Sequence, residues 1–294
     1  MPGPRRARVA IPNSGGCALD LSFLVSGEGP PVVLLHGLGA SSLVWHAQQP
    51  ELSRGHRVYA LDLPGSGRSP MPRMPPSGDW VVEAVNGFVA RVAGGPVTLV
   101  GHSMGGAIAL RCALERPDLV SSLVLVAPAG LGREVSRFLR FLSLPGLDRL
   151  AEFVVPTLMR RAGDRWRRSI RGRFAHPVDE AIFGPVLDEA FEHYQRREAV
   201  RAFMTALRAG TEWRGQRRRH ILRHRLTELA MPVLLVWGED DRILPMEHAE
   251  LAANSGPLEI RILNRCGHSP QLEAAALFTT VLLEFIARAH AGVI

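Results

Sequence analysis

Five apolar runs of strand length do not alternate with polar residues, and each breaks off in glycine, proline or acidic residues: Val32–Gly37, Arg57–Gly67, Val97–Gly106, Ser122–Pro128 and Val233–Asp241. A strand with one wet face alternates; a strand buried on both faces does not. Runs of this kind, separated by segments long enough for helices, specify a parallel sheet covered on both sides. Ahead of them, Arg8–Ile11 and Ala18–Val25 read as two paired strands across a turn at Gly15-Gly16. Behind them, Leu258–Asn264 reads as a last strand and Gln271–His290 as a closing amphipathic helix. The expected class is α/β: a mostly parallel central sheet of about eight strands with helices on both faces.

The regular alternation stops between Pro128 and Leu226, where strand-type runs give way to helical periodicity studded with arginine. Breaks are expected at Pro145-Gly146, Pro156, Pro177 and Gly184-Pro185. The segment is too apolar for disorder, so it is expected to be an all-helical cap, residues 128–226, inserted into a core formed by 1–127 and 227–294. Charge follows the same division. All 35 Lys+Arg residues are arginine; 21 fall between Pro128 and Leu226 against 11 acids, while the remainder has 14 against 17. A coding bias explains the absence of lysine. The concentration in one segment is consistent either with solvated helix faces or with attraction of acidic substrates. No nucleic-acid-binding module accompanies the arginines, so no nucleic-acid partner is expected.

Other classes are excluded more simply. A chain of 294 residues with 46% hydrophobic residues buries a core without disulfides. Its apolar runs are far shorter than a bilayer requires, so no membrane span is expected. The N-terminal arginines are not followed by an apolar stretch, and Cys17, Cys112 and Cys266 form no CxxC pair. Neither an export signal nor a disulfide or zinc framework is expected, and a cytoplasmic location follows. His220 and His224 have the spacing of a helical metal pair, but they stand in RRRHILRHR, where neighbouring cations oppose a metal. Pro70–Ser77 reads as an exposed loop.

Chemistry concentrates at Gly101-His102-Ser103-Met104-Gly105. This G-x-S-x-G lies between an expected strand (Val97–Val100) and an expected helix (Gly105–Glu115), the setting that lifts a serine clear of a sheet on a sharp turn. Side chains at the flanking positions would collide with neighbouring chain. The turn also sets the Met104 amide at a helix start, where it can donate to a developing oxyanion.

Taken with four further motifs, the chain resembles the α/β-hydrolase superfamily with a cap domain. His36-Gly37-Leu38-Gly39 is similar to the family's HGxG oxyanion turn, and Asp62–Ser69 to its DxxGxGxS loop. Trp237-Gly238-Glu239-Asp240-Asp241 is similar to the strand end that presents the acid, and Gly267-His268 to the histidine loop. The resemblance implies a triad in the order Ser103, Asp241, His268, with the backbone amides of Leu38 and Met104 as oxyanion hole and neither cofactor nor metal. It selects Asp241 over its neighbour Asp240 because the acid falls three residues after a glycine and four before a proline, here Gly238 and Pro245. Asp240 is left as a loop cap. Ala127-Pro128-Ala129-Gly130, the other place where the family carries the acid, has no carboxylate. His36 is expected to be structural, His102 to point away from the site, and Cys266 to be a small buried residue. Trp45, Phe138, Phe141 and Trp213 are large side chains available to an acyl pocket or to the core.

Serine at position 103 excludes the branches of this fold that use an aspartate nucleophile. The expected activity is hydrolysis of a carboxylic ester or related acyl bond in a small-molecule substrate, acidic ones included. The alternatives are C–C bond hydrolysis of the meta-cleavage type, since Ser103-Met104-Gly105-Gly106 and Pro128–Gly132 resemble that branch, and acyl-carrier or CoA thioester hydrolysis. His102 and Ser269 depart from the meta-cleavage pattern, which has asparagine and tryptophan there. A ligand-binding receptor on the same fold is the non-enzyme alternative.

Overall fold

The computed structural model describes residues 3–12, 18–71, 78–172 and 174–294. The Gly15-Gly16 turn, Cys17 and most of the Pro70–Ser77 loop lie outside the described residues. Ten strands are described: β1 (Arg5–Pro12), β2 (Ala18–Ser26), β3 (Pro31–Leu35), β4 (Arg57–Leu61), β5 (Val97–His102), β6 (Val120–Val126), β7 (Thr211–Glu212), β8 (Gly215–Gln216), β9 (Val233–Gly238) and β10 (Glu259–Leu263). Eight of them form one sheet in the order β1-β2-β4-β3-β5-β6-β9-β10. β1, β2 and β4 pair antiparallel, and every pairing from β4 through β3 to β10 is parallel. The expected fold is therefore observed.

The unalternated runs have the anticipated cause. Every residue of β5 and β9 is buried. Alternate positions feed two different cores: Val33, Leu35, Leu99, Leu125, Leu235 and Trp237 on one face, and Val32, Leu34, Val100, Val126, Leu234 and Val236 on the other. The first face is covered by α2 (Gly78–Phe88), α3 (Met104–Glu115) and α9 (Glu247–Ala253), the second by α1 (Gln49–Leu52), α10 (Pro270–Glu273) and α11 (Ala275–His290). Burial of each such Leu or Val contributes roughly 1.5–3 kcal/mol, which makes the sheet centre the rigid base for whatever its strand ends carry. The closing helix is interrupted where a single one was expected, at Ala274, whose φ of −133° is not helical.

Between β6 and β9 lie α4 (Arg137–Leu142), α5 (Leu147–Ala162), α6 (Asp164–Arg171), α7 (Glu180–His193) and α8 (Arg197–Gly210). This segment is not all-helical, because β7 and β8 pair as a two-residue-per-strand hairpin between α8 and the return to the sheet. A hairpin so short has no room for a period-two signal. The breaks at Pro145-Gly146 and Pro177 fall between helices, but Pro156 lies inside α5 and Pro185 inside α7. A proline forfeits one hydrogen bond, and tertiary packing can carry a helix past it. Pro156 is itself buried, and α7 lays Phe183 and Leu187 onto the sheet's second core. A third small core joins Val200, Met204 and Leu207 of α8 to Leu139 and Leu142 of α4 and to Leu147 and Val155 of α5.

Candidate active site

The carboxyl ends of the parallel strands converge on one place, as expected for an open α/β sheet. Ser103 follows β5 with φ 54° and ψ −117°, a conformation that costs a non-glycine residue about 1–3 kcal/mol. Hydrogen bonds hold it there. Its amide donates to Val126 O at 2.9 Å, and its carbonyl accepts from Gly106, Ala107 and Ala129. The flanking glycines are required by contact: a Cβ on Gly101 would stand 2.3 Å from Gly105 O, and one on Gly105 2.5 Å from His36 O.

Ser103 Oγ lies 3.0 Å from His268 Nε2, and His268 Nδ1 lies 2.7 Å from Asp241 Oδ2. Asp241 is wholly buried, and its other oxygen accepts from the amides of Ile243 and Leu244 at 2.8 and 2.9 Å. With three donors on its two oxygens, the Asp241 carboxyl group is fixed in place and aimed at Nδ1. The imidazole is thereby the tautomer with hydrogen on Nδ1, leaving Nε2 to accept from the serine. Asp240, one residue earlier, turns outward and accepts from His176 Nε2 at 2.7 Å, so it ties the sheet to the segment between α6 and α7 instead of capping its own loop.

Leu38 and Met104 line the same cavity as Ser103. Among the described residues neither amide donates to another group. Met104 opens α3, so its N–H belongs to the unsatisfied first turn of a helix. His36 is structural: Nδ1 donates to Gly37 O at 2.8 Å, and Nε2 accepts from Leu63 N at 2.9 Å. Asp62 of the second glycine loop is buried and accepts from Arg6, Ser42 N and Arg68 N, which pins that loop beside the site.

Two contributors were not read from the sequence. Glu273, at the end of α10, accepts from the amides of Gly267 and Ser269 at 3.0 and 2.9 Å, clamping the chain on either side of His268. Glu273 stands four residues after Ser269, one beyond the Ser-x-x-Glu capping spacing, so no sequence signal marked it. His102 does not point away from the site. Its ring centre is 4.9 Å from that of His268, and its Nε2 donates to His268 O at 2.8 Å. Burial, followed by the neighbouring His268, pushes its pKa down to about 3, so it stays neutral. Cys266 is buried as expected, and burial pushes its thiol up to about 12.

Ser103 opens onto a cavity of about 190 Å³. Its floor is the α3 stripe Met104, Ala107, Ile108 and Arg111, about 10 Å of helix. Its roof is the α8 stripe Ala199, Ala202, Phe203, Ala206 and Gly210, mostly small residues that leave room beneath them. The charged or titratable side chains on the wall are few. Arg111 pairs with Glu115 at 2.7 Å, His220 contacts Ala209 O at 3.1 Å, and desolvation of the half-buried Tyr194 raises its pKa. Trp45, Phe138, Phe141 and Trp213 do not line the cavity: Trp45 is core, and the other three are exposed.

A serine–histidine–carboxylate line at the strand ends of such a sheet, beside an apolar cavity, is the arrangement of a hydrolase of α/β architecture. The α/β-hydrolase fold family model matches residues 30–275, and the chain belongs to that family. It is 31% identical over 271 residues to an uncharacterised protein of Mycobacterium tuberculosis, covering 90% of this chain and 77% of that one. It is 30% identical over 288 residues to a 2-hydroxy-6-oxo-6-(2'-aminophenyl)hexa-2,4-dienoic acid hydrolase of Metapseudomonas resinovorans, covering 94% and 90%. Among solved structures it superposes on a membrane phospholipase A with a TM-score of 0.75 and 26% identity, over 98% of this chain and 87% of that one. A hydrolase is named among the sequence relatives and a phospholipase among the solved structures, and the chain is an enzyme of the α/β-hydrolase family. No helix among the described residues is long and apolar enough to cross a membrane.

Proposed function

We propose that the protein hydrolyses a carboxylic ester of a small molecule with an apolar acyl group, with residues 128–226 acting as a cap over the site. The observation that carries this reading is the unbroken line Asp241–His268–Ser103 ending in a cavity walled almost entirely by apolar side chains. His268 Nε2 takes the Ser103 proton as Oγ attacks the ester carbonyl, and Asp241 stabilises the imidazolium that forms. The carbonyl oxygen, now negative, accepts from the amides of Leu38 and Met104. Collapse of this intermediate expels the alcohol, which takes the proton from His268 and leaves the acyl group on Ser103. Water then repeats the sequence, with His268 as base, and frees the acid.

A p-nitrophenyl ester series from acetate to decanoate tests this. The expected result is multiple turnover with a chain-length optimum, abolished in Ser103→Ala. A stoichiometric burst, or identical rates in the Ser103→Ala protein, would sink it and favour a receptor with a vestigial site.

The dienoic acid hydrolase among the relatives supports a second reading, C–C bond cleavage of a vinylogous diketone. The substrate of that enzyme is a carboxylic acid, and an acid in this cavity would need a cation. The wall offers Arg111, already paired with Glu115, and His220. The ester is therefore preferred. Turnover of a diketone acid faster than that of every ester in the series would reverse the order.

A further inference from the structure

The cap has an outer face that its own packing does not explain. Large apolar side chains stand exposed along it: Phe141 (57%), Leu150 (57%), Phe153 (55%), Val154 (39%), Leu158 (56%) and Trp213 (56%). On α5 the positions 150, 153, 154 and 158 follow helical spacing and make one stripe. The adjoining stripe, with Leu147, Ala151 and Val155, packs on α8. α4 divides its residues the same way, burying Leu139 and Leu142 against α8 and turning Phe141 outward beside Trp213 at the tip of the β7–β8 hairpin. Large apolar side chains exposed in this number ordinarily mark a surface that something covers.

Its charge says by what. α4 and α5 carry five arginines, Arg137, Arg140, Arg149, Arg160 and Arg161, against two acids. Both acids, Asp148 and Glu152, are held by Arg208 and Arg201 of α8. Arg137, Arg149 and Arg161 are exposed, and no ion pair to a carboxylate is found for them among the described residues. Arginine also lies directly over the exposed rings, Arg197 at 4.5 Å from the centre of Phe153 and Arg214 at 4.5 Å from that of Trp213. Apolar groups rimmed by guanidinium groups suit the boundary between lipid headgroups and acyl chains, where the rings enter and the cations stay among phosphates. A second copy of the chain would set this excess of positive charge against itself. A nucleic acid would satisfy the arginines but leave the apolar stripe wet.

We propose that the α4–α5 face with Trp213 docks the protein on an anionic lipid surface. α8 has this layer on one side and the cavity on the other, so a molecule leaving the lipid reaches an apolar pocket one helix away. The docking does not depend on turnover.

The test is flotation of the full chain with vesicles of phosphatidylcholine, alone or with about 30% phosphatidylglycerol. Binding to the anionic vesicles is expected, weaker by about tenfold or more on phosphatidylcholine alone and in about 0.5 M salt, where charge is screened within a few ångströms. The triple variant Phe141→Ser, Phe153→Ser, Trp213→Ser should lose binding to a similar degree. It should still hydrolyse short soluble esters at the parental rate, which shows that it is folded. Ser103→Ala should bind as the parent does, even if the ester reading fails. Equal binding to both vesicles, or undiminished binding of the triple variant, would overturn the proposal. So would a dimer in solution that the same three substitutions dissociate, which would assign the face to a second copy.

Discussion

Asp241 spends both oxygens: Oδ1 on two backbone amides and Oδ2 on His268. An amide in its place turns one donor toward another. Asp241→Asn is expected to leave the protein folded and KM for a short ester near its parental value while lowering kcat by roughly 10⁴, because the imidazole is driven to the wrong tautomer. A kcat within about tenfold of the parent would mean that another group orients His268. His102 is a positioning residue for the same imidazole, holding it by its backbone carbonyl. His102→Ala is expected to lower kcat by about tenfold or more with little change in KM, since misplacement by about 1 Å is enough for that. The acidic limb of the pH–rate profile should not move, because a group titrating near 3 is neutral throughout the working range. A shifted limb would show that His102 titrates with the reaction.

At the scale of elements, α8 is the wall most open to redesign. Its small residues leave the cavity its depth, and Ala206 lies on that stripe, away from the Ser103 line. Ala206→Phe is expected to cut kcat/KM for decanoate about tenfold or more relative to acetate, as lost methylene contacts are worth about 1–3 kcal/mol each. An unchanged chain-length profile across the ester series would show that the acyl group lies elsewhere. The elements also show what can be read locally. β3, β5, β6 and β9 announce themselves because a strand buried on both faces has no polar alternative, and Ser103, Asp241 and His268 stand at strand ends with local turn motifs. Most of what was hidden depends on partners distant along the chain: His102 acts on the backbone of His268 across 166 positions, and His176 on Asp240 across 64. The prolines of α5 and α7 misled for the same reason, since the local rule that breaks helices gave way to packing that only the folded chain supplies.

For the whole molecule, buried imidazoles set the response to acid. Burial lowers the pKa of His36, of His102 to about 3 and of His193 to about 4; Arg196, donating to His193 Nδ1, adds to the last. Each binds its proton more weakly folded than unfolded, so below the ordinary histidine value of 6.5 the unfolded chain takes up more protons. Stability is thus complete above that pH and is lost as pH falls toward about 4. Glu189, whose pKa burial raises and whose carboxylate accepts from Ser41, works in the opposite sense over the range just above its ordinary value. Thermal midpoints are expected to fall steadily from pH 7 to pH 5, less steeply in His193→Gln. A midpoint that is flat over that interval would remove the buried histidines from the account.

The parts of the candidate site are strung along the chain in a fixed sequence: Leu38, Ser103 and Met104, then α3 to α8, then Asp241 and His268. Ser103 and His268 are 165 positions apart. At 5–20 residues per second, a ribosome needs roughly 10–30 s to add the second after the first. On the roles proposed above, the nascent chain carries through that interval a nucleophile without its base, and the segment proposed as the cap emerges before β9 and the acid. A hydrolase ordered in this way is inert until the loop of His268 has been made.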